Sequence, residues 1–244
     1  MKKNIIYLIL ILFSTFLNAN EKVVLQLKWF HQFQFAGYYA AKEKGFYDEV
    51  GLDVEIKQRD LKYNNIDEVI NGNAQYGVAD SILILYRLKQ QPVVIVSPIF
   101  QHSPSVFISL KKSNISSVYE LNNKDILFYP NDTDGFSLLA MIKKFDLDVN
   151  LVRERYKDDY MRLINNEVDV MPAYIANEPF LFKEKGYDVN IINPTNYGFD
   201  MYGDMLFTNE DEAKNNPNKK KKFKEATLKG WKYALENKEE IIQL

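Results

Sequence analysis

Few residues of this chain are equipped to make or break bonds. Its 244 residues include two histidines, His31 and His102, and no cysteine. The lack of cysteine excludes a thiol nucleophile, a disulfide, a cysteine-based zinc site and a lipidated N-terminal cysteine. Neither histidine has a second ligand at metal-binding spacing, so no metal is expected. Phosphate-binding, dinucleotide-binding and serine-hydrolase signatures are absent as well. No catalytic residue and no cofactor can be assigned, and the residues that remain are suited to binding.

The densest of these lie in Trp29–Tyr39, with six aromatics in eleven residues and Gln32 and Gln34 interleaved. Aromatic faces stack on planar ligands, and amides supply paired donors and acceptors. Consecutive residues cannot all face one way, so Trp29, Phe35 and Tyr38 are the candidates for a cleft wall.

The elements that must position these residues alternate in type. Val23–Leu27 reads as a short buried strand, Gly37 to Lys44 as a helix, and Val54–Ile56 as a strand with period-two alternation. A helix over Asn65 to Asn71, a strand over Tyr76–Ala79, a helix over Ser81 to Gln90 and a strand from Val93 to Phe100 follow. This order predicts a mainly parallel sheet flanked by helices.

A second unit opens near Ser105. Its strands are expected at Val106–Leu110, Asp125–Tyr129, Val168–Met171 (ended by Pro172) and Val189–Ile192. Its helices are expected at Phe136–Phe145, Asp158–Asn166 and Asn177–Lys185. Asp204–Thr208 reads as a strand returning to the first unit, and Pro217–Asn237 as one long amphipathic helix. Two α/β units with two crossings, near residues 101–106 and 198–206, predict a two-lobed clamshell of the type II binding-protein layout. The expected division is 1–20 leader, 21–104 plus 205–244 lobe 1, and 105–204 lobe 2.

In such folds ligands meet strand ends and helix N-termini. Asp80 and Ser81 stand at one such junction, and Phe136 and Ser137 open the first helix of the second unit. Asn177 and Glu178 open a later one. Asp80, Ser81 and Asn177 are equally good helix caps, and Glu178 is a good first-turn dipole partner.

Lys2, Lys3 and the apolar run Ile5–Phe13 form an export signal with a cut after Ala19 or Asn20. The run is too short to span a bilayer comfortably. Its removal leaves 29 basic against 33 acidic residues, a formal charge of -4. That balance gives no general attraction to nucleic acid or anionic membranes. A soluble periplasmic monomer is expected. Lys219–Lys222 is read as a solvated helix start. The sequence stops in mid-pattern at Ile241–Leu244, as a fragment or truncated copy would.

Three stretches carry a family resemblance: Leu27–Trp29, Gly37–Tyr47 and Gly51–Ile56. They resemble the opening of the family shared by thiamine-pyrimidine precursor synthases and periplasmic binding proteins for thiamine precursors, sulfonates and nitrate-like solutes. Gly77–Ser81, Tyr174–Pro179 and Asn216–Tyr233 resemble later segments of that family.

The resemblance implies one enzyme branch, which uses a cofactor-bearing lysine, a histidine and a cysteine-rich run. Those positions fall here on Ala79, Leu83 and Tyr197–Gly203. Alanine forms no Schiff base and leucine donates no imidazole, so the chain is not expected to be an enzyme. Phe35 stands where the binding-protein branch carries a histidine.

What the resemblance then implies is a small-molecule ligand, of thiamine-pyrimidine-precursor or sulfonate type, delivered to an ABC permease in the inner membrane. The segment Trp29–Tyr47 also looks like the sensing domain of some membrane signalling proteins, which is the alternative role.

Overall fold

The computed structural model describes residues 20–129, 134–153 and 159–243. The expected export signal thus lies almost wholly outside the described residues. So do Asp158 and most of the Pro130–Gly135 turn. The described chain is α/β, as its alternating pattern implied, and divides into two compact units.

Unit 1 holds residues up to Val24, Gln32–Ile56 and the chain from Lys221 on. It contains most of strands β1 (Glu21–Gln26) and β2 (Leu52–Lys57), which pair, and helix α1 (Ala36–Glu43). Here α1 meets a much longer helix, Pro217–Glu236 (α8 in chain order), of which unit 1 takes all but the first turn. The two helices touch through glycine. A Cβ on Gly37 would lie 2.1 Å from the Trp231 ring, and one on Gly230 would lie 2.2 Å from the Gly37 carbonyl oxygen. Tyr47 stacks on Phe223 with ring centroids 5.2 Å apart, and its hydroxyl bonds Thr227 at 2.9 Å. Burial pushes the Tyr47 phenol well up from its ordinary value.

Unit 2 holds Leu25–His31 and Lys57–Lys220. The end of β1 runs parallel to β3 (Tyr76–Ala79), with Leu25 opposite Tyr76. Helix α2 (Asn65–Ile70) lies against β3, and helix α3 (Leu83–Leu88) against strand β4 (Val93–Pro98) of the same sheet. Asn64 caps α2 by accepting from the Ile66 N–H at 2.9 Å, and Gly72, at φ 78, turns the chain out of it. The returning strand β10 (Met205–Asn209) inserts between β3 and β4, antiparallel to both.

The remaining strands fall within residues 105–192. β5 (Ser105–Leu110) lies between β8 (Met171–Tyr174) and β9 (Val189–Ile192), antiparallel to each. β6 (Asp125–Leu127) and β7 (Asn150–Val152) form a separate parallel pair. Helices α4 (Phe136–Lys144), α5 (Tyr160–Ile164) and α6 (Glu178–Glu184) accompany them. Helices α7 (Glu210–Asn215) and α9 (Lys238–Ile241) flank α8.

Two features differ from the sequence expectation. The five-stranded sheet is mixed and the β8-β5-β9 sheet antiparallel rather than mainly parallel, because β10 and β5 run against their neighbours. Pro172 also lies inside a strand instead of ending one. It is opposite Phe107 on β8, an edge strand, where a residue lacking N–H is tolerated. Its effect falls on the other side. Asp169 and Val170 donate to the Asp125 carbonyl, and Leu127 donates to the Val170 carbonyl. The next donor in that parallel ladder would be the N–H of residue 172, which proline lacks. Among the described residues β6 meets this segment at one bridge, Ile126 opposite Val170.

The segments around Phe100–Pro104 and Asp200–Gly203 run side by side. The Gly203 N–H donates to the Phe100 carbonyl at 2.9 Å, and a Cβ on Gly203 would come within 2.8 Å of Pro104. His102 pairs with Asp200 in solvent nearby, at 2.8 Å.

Candidate functional site

The antiparallel placement of β10 decides which groups meet. With Met205 opposite Ala79, the residue before β10 and the residue after β3 share one edge of the sheet. Asp204 and Asp80 therefore stand together. Lys28, two residues beyond β1, reaches the same edge because β1 runs parallel to β3. From the other strands come Tyr174, at the end of β8, and Asp134, just before α4.

Lys28 is the centre of this group. Its ammonium lies 2.8 Å from Asp134 Oδ1, 3.3 Å from Asp204 Oδ1 and 3.9 Å from Asp80 Oδ2. It also donates to the Tyr174 hydroxyl at 2.8 Å, and that hydroxyl donates to Asp204 Oδ1 at 2.7 Å. The Gly135 N–H is shared by Asp80 Oδ2 and Asp134 Oδ1, each at 2.9 Å. Asp80 Oδ1 accepts from the Ile82 N–H at 2.8 Å. Arg59 donates to the Lys28 carbonyl at 3.2 Å and is itself buried. All three carboxylates and the lysine are at most 3% exposed.

Charges enclosed to this extent must be compensated. Burial and the neighbouring Asp134 charge push the Asp80 carboxyl up to about 8. Burial would raise Asp134 too, but the Lys28 ammonium, a hydrogen bond with Asp80 and the Arg59 charge together hold that carboxyl below its ordinary value. Burial would lower Lys28, and Asp134, Tyr174, Asp204 and Asp80 together hold it well above. Asp80 thus holds a proton to higher pH than Asp134, and the two carboxyls share the Gly135 N–H.

Several residues expected at a binding site fall beside this group. Trp29, partly buried, meets Tyr129 edge-on at 6.5 Å and packs on the core of the second set of strands. Ser81 is buried and donates to the Tyr202 carbonyl at 2.7 Å. Ser137, at the start of α4, is 3% exposed, and its hydroxyl makes no hydrogen bond. Phe136 beside it is partly buried. The Glu178 carboxylate accepts from the Tyr174 N–H at 2.7 Å, so it fixes the end of β8. Asn177 is exposed and caps no N–H with its side chain. Phe35 and Tyr38 belong to unit 1 and are buried in its core, Tyr38 edge-on to Trp231 at 5.7 Å.

Lys28, Asp134, Tyr174, Asp204 and Arg59 were not singled out from the sequence. The available signal was a charged or hydroxyl residue at a strand end, the rule that did single out Asp80. Applying it to Asp204 requires knowing that β10 runs backwards. Among the described residues no cluster of histidine and carboxylate side chains could hold a metal ion, and no helix is long and apolar enough to cross a membrane.

Known proteins resemble this chain over most of its length. The riboflavin-binding protein RibY of Chloroflexus aurantiacus is 26% identical over 92% of the chain. The formylaminopyrimidine-binding protein of Halalkalibacterium halodurans is 24% identical over 93%. The chain spans 65% and 70% of the lengths of these two relatives. Among solved structures, the periplasmic aliphatic sulphonate binding protein SsuA of Escherichia coli superimposes with a TM-score of 0.69. That match is 13% identical and covers 91% of this chain and 77% of SsuA, so the fold is shared. The model of the family described as NMT1/THI5 like matches residues 32–241, and this chain belongs to that family.

Proposed function

We propose that this chain is a periplasmic solute-binding protein that captures a small aromatic or heterocyclic nutrient and delivers it to an ABC permease in the inner membrane. In this reading residues 21–104 and 205–244 form one lobe and residues 105–204 the other. Residues 1–20 are the export signal, and the mature protein acts as a monomer without a cofactor. The ligand sits where the strand ends converge. Trp29 offers a face for stacking, and Asp80 and Ser81 offer hydrogen-bonding groups from one side. The Ser137 hydroxyl and the first N–H groups of α4 approach from the other.

One observation carries the reading. Lys28, Asp80, Asp134, Tyr174 and Asp204 are drawn from both sets of strands into one buried polar site. A core built for stability alone gains little from such a group. The relatives that bind riboflavin and formylaminopyrimidine support a planar ring as the ligand class. Catalysis of the pyrimidine-synthase kind is set aside because Ala79 and Leu83 hold the positions of its lysine and histidine.

Thermal shift of the mature chain against flavins, aminopyrimidines, sulfonates and nitrate tests the assignment, followed by calorimetric titration of any hit. A ligand at one hundred times its Kd adds about 2.7 kcal/mol to stability. Folded protein that responds to none of these classes would refute the role.

A further inference from the structure

The site just described is closed upon itself. Lys28, Asp80 and Asp204 extend from the ends of β1 and β3 and the start of β10, whereas Asp134 precedes α4 and Tyr174 ends β8. Each contact between the two groups joins one set of strands to the other: Lys28 to Asp134, Lys28 to Tyr174, Tyr174 to Asp204, and Asp80 to the Gly135 N–H. Charge counting adds a condition. Asp80, Asp134 and Asp204 gather three carboxylates on the one Lys28 ammonium, so a proton on one of them eases their mutual repulsion.

We propose that this group is a proton-gated latch: one proton shared by Asp80 and Asp134 lets the two sets of strands stay joined through Lys28, and its loss parts them. The groups facing the pair are Lys28 beyond β1, Arg59 beyond β2, Tyr174 on β8 and Asp204 before β10. Loss of the proton leaves two adjacent buried carboxylates facing each other across the joint, with Lys28 already divided among three acids. Water regained on parting relieves that repulsion. The pushed-up Asp80 carboxyl places the event in mildly alkaline solution.

The latch regulates the site proposed above and rests on that reading only for its role in capture. Its test needs no ligand. The chain has no cysteine, so Leu88→Cys on α3 and Phe180→Cys on α6, both exposed, accept nitroxide labels through thioether links without competition. Pulsed electron resonance then reads the distance between the two sides. At pH 6.5 a single short distance is expected. Above about pH 8 a longer one should grow, its ratio to the short one rising up to tenfold per pH unit. Asp80→Asn, which keeps a neutral donor beside Asp134, should hold the short distance at pH 9.5, with circular dichroism confirming that it is folded.

An unchanged distance from pH 6.5 to 9.5 overturns the latch, and so does an Asp80→Asn variant that opens like the parent. The two proposals fail separately. Label distances that titrate in a protein without ligand hits leave the latch standing, and ligand hits without titration leave only the binding role.

Discussion

The Tyr174 hydroxyl donates to Asp204 Oδ1 at 2.7 Å while accepting from Lys28 at 2.8 Å. One phenol thereby ties the end of β8 to the start of β10. Tyr174→Phe deletes both bonds and leaves Asp204 and Lys28 with fewer partners in a buried place. A loss of about 1–3 kcal/mol is expected, read from urea unfolding at neutral pH. An unchanged stability would mean that water replaces the hydroxyl.

Lys28→Met removes the cation that three carboxylates surround. The expected cost is about 3–5 kcal/mol, because an uncompensated buried charge remains. Asp134 then loses the ammonium that held its carboxyl down, so the variant should regain stability as pH is lowered toward 5. Adding Asp134→Asn should recover part of the loss. Additive effects of the two substitutions would disprove their coupling.

Asp80 sets a pH slope of defined sign. Its folded carboxyl is pushed up to about 8 from an ordinary 3.8, so the folded state binds the proton more tightly than the unfolded state. That stabilisation is present below the ordinary value and is lost as pH rises toward 8, by at most about 1.4 kcal/mol per pH unit. Asp134, held down, works oppositely and loses its contribution as pH falls below its ordinary value. Melting temperatures of the parent and Asp80→Asn, compared from pH 5 to 9, should diverge in favour of the variant as pH rises. Parallel curves would contradict the assignment.

Ser137 separates stability from binding. Its buried hydroxyl has no partner, so Ser137→Ala should leave stability unchanged or raise it by up to about 1 kcal/mol. If the start of α4 contacts the ligand, the same variant binds any hit from the thermal-shift screen several-fold more weakly. Unaltered affinity would remove Ser137 from the site.

Gly230 is a helix-interior glycine, where alanine normally gains about 1 kcal/mol. Here a Cβ would lie 2.2 Å from the Gly37 backbone oxygen and 2.5 Å from Ala41 Cβ. Gly230→Ala should instead destabilise by about 1–3 kcal/mol, because neither contact is a flexible side-chain end. Thermal unfolding of the variant decides the sign.

Much of the fold was legible because short apolar runs alternate with helical patterns. Tyr76–Ala79 and Val189–Ile192 are strands with the bounds their sequences suggest. The α7 segment Glu210–Asn215 escaped because it has no apolar stripe. Its start is set instead by Asn209, which accepts from the Glu212 N–H at 2.7 Å. β7 is three residues long and offers too little pattern to read.

The site was half legible for a related reason. Asp80, Ser81 and Ser137 announce themselves at junctions of strand and helix. Asp204 and Tyr174 take their places from strand directions that no local pattern encodes. Lys28 gives no sign of burial in its own neighbourhood, since only acids distant in sequence make that burial tolerable.

Pro172 has one more effect. It withholds one donor where the β6–β7 pair meets the sheet of β8, β5 and β9, beside the bridge of Ile126 to Val170. Side-chain packing and the backbone bonds of Asp169 and Val170 to Asp125 and of Leu127 to Val170 cross the boundary between them. That line is a mechanical seam: under pulling force, or in slow hydrogen exchange, this part of the protein should give way there first, with each piece keeping its own ladder intact.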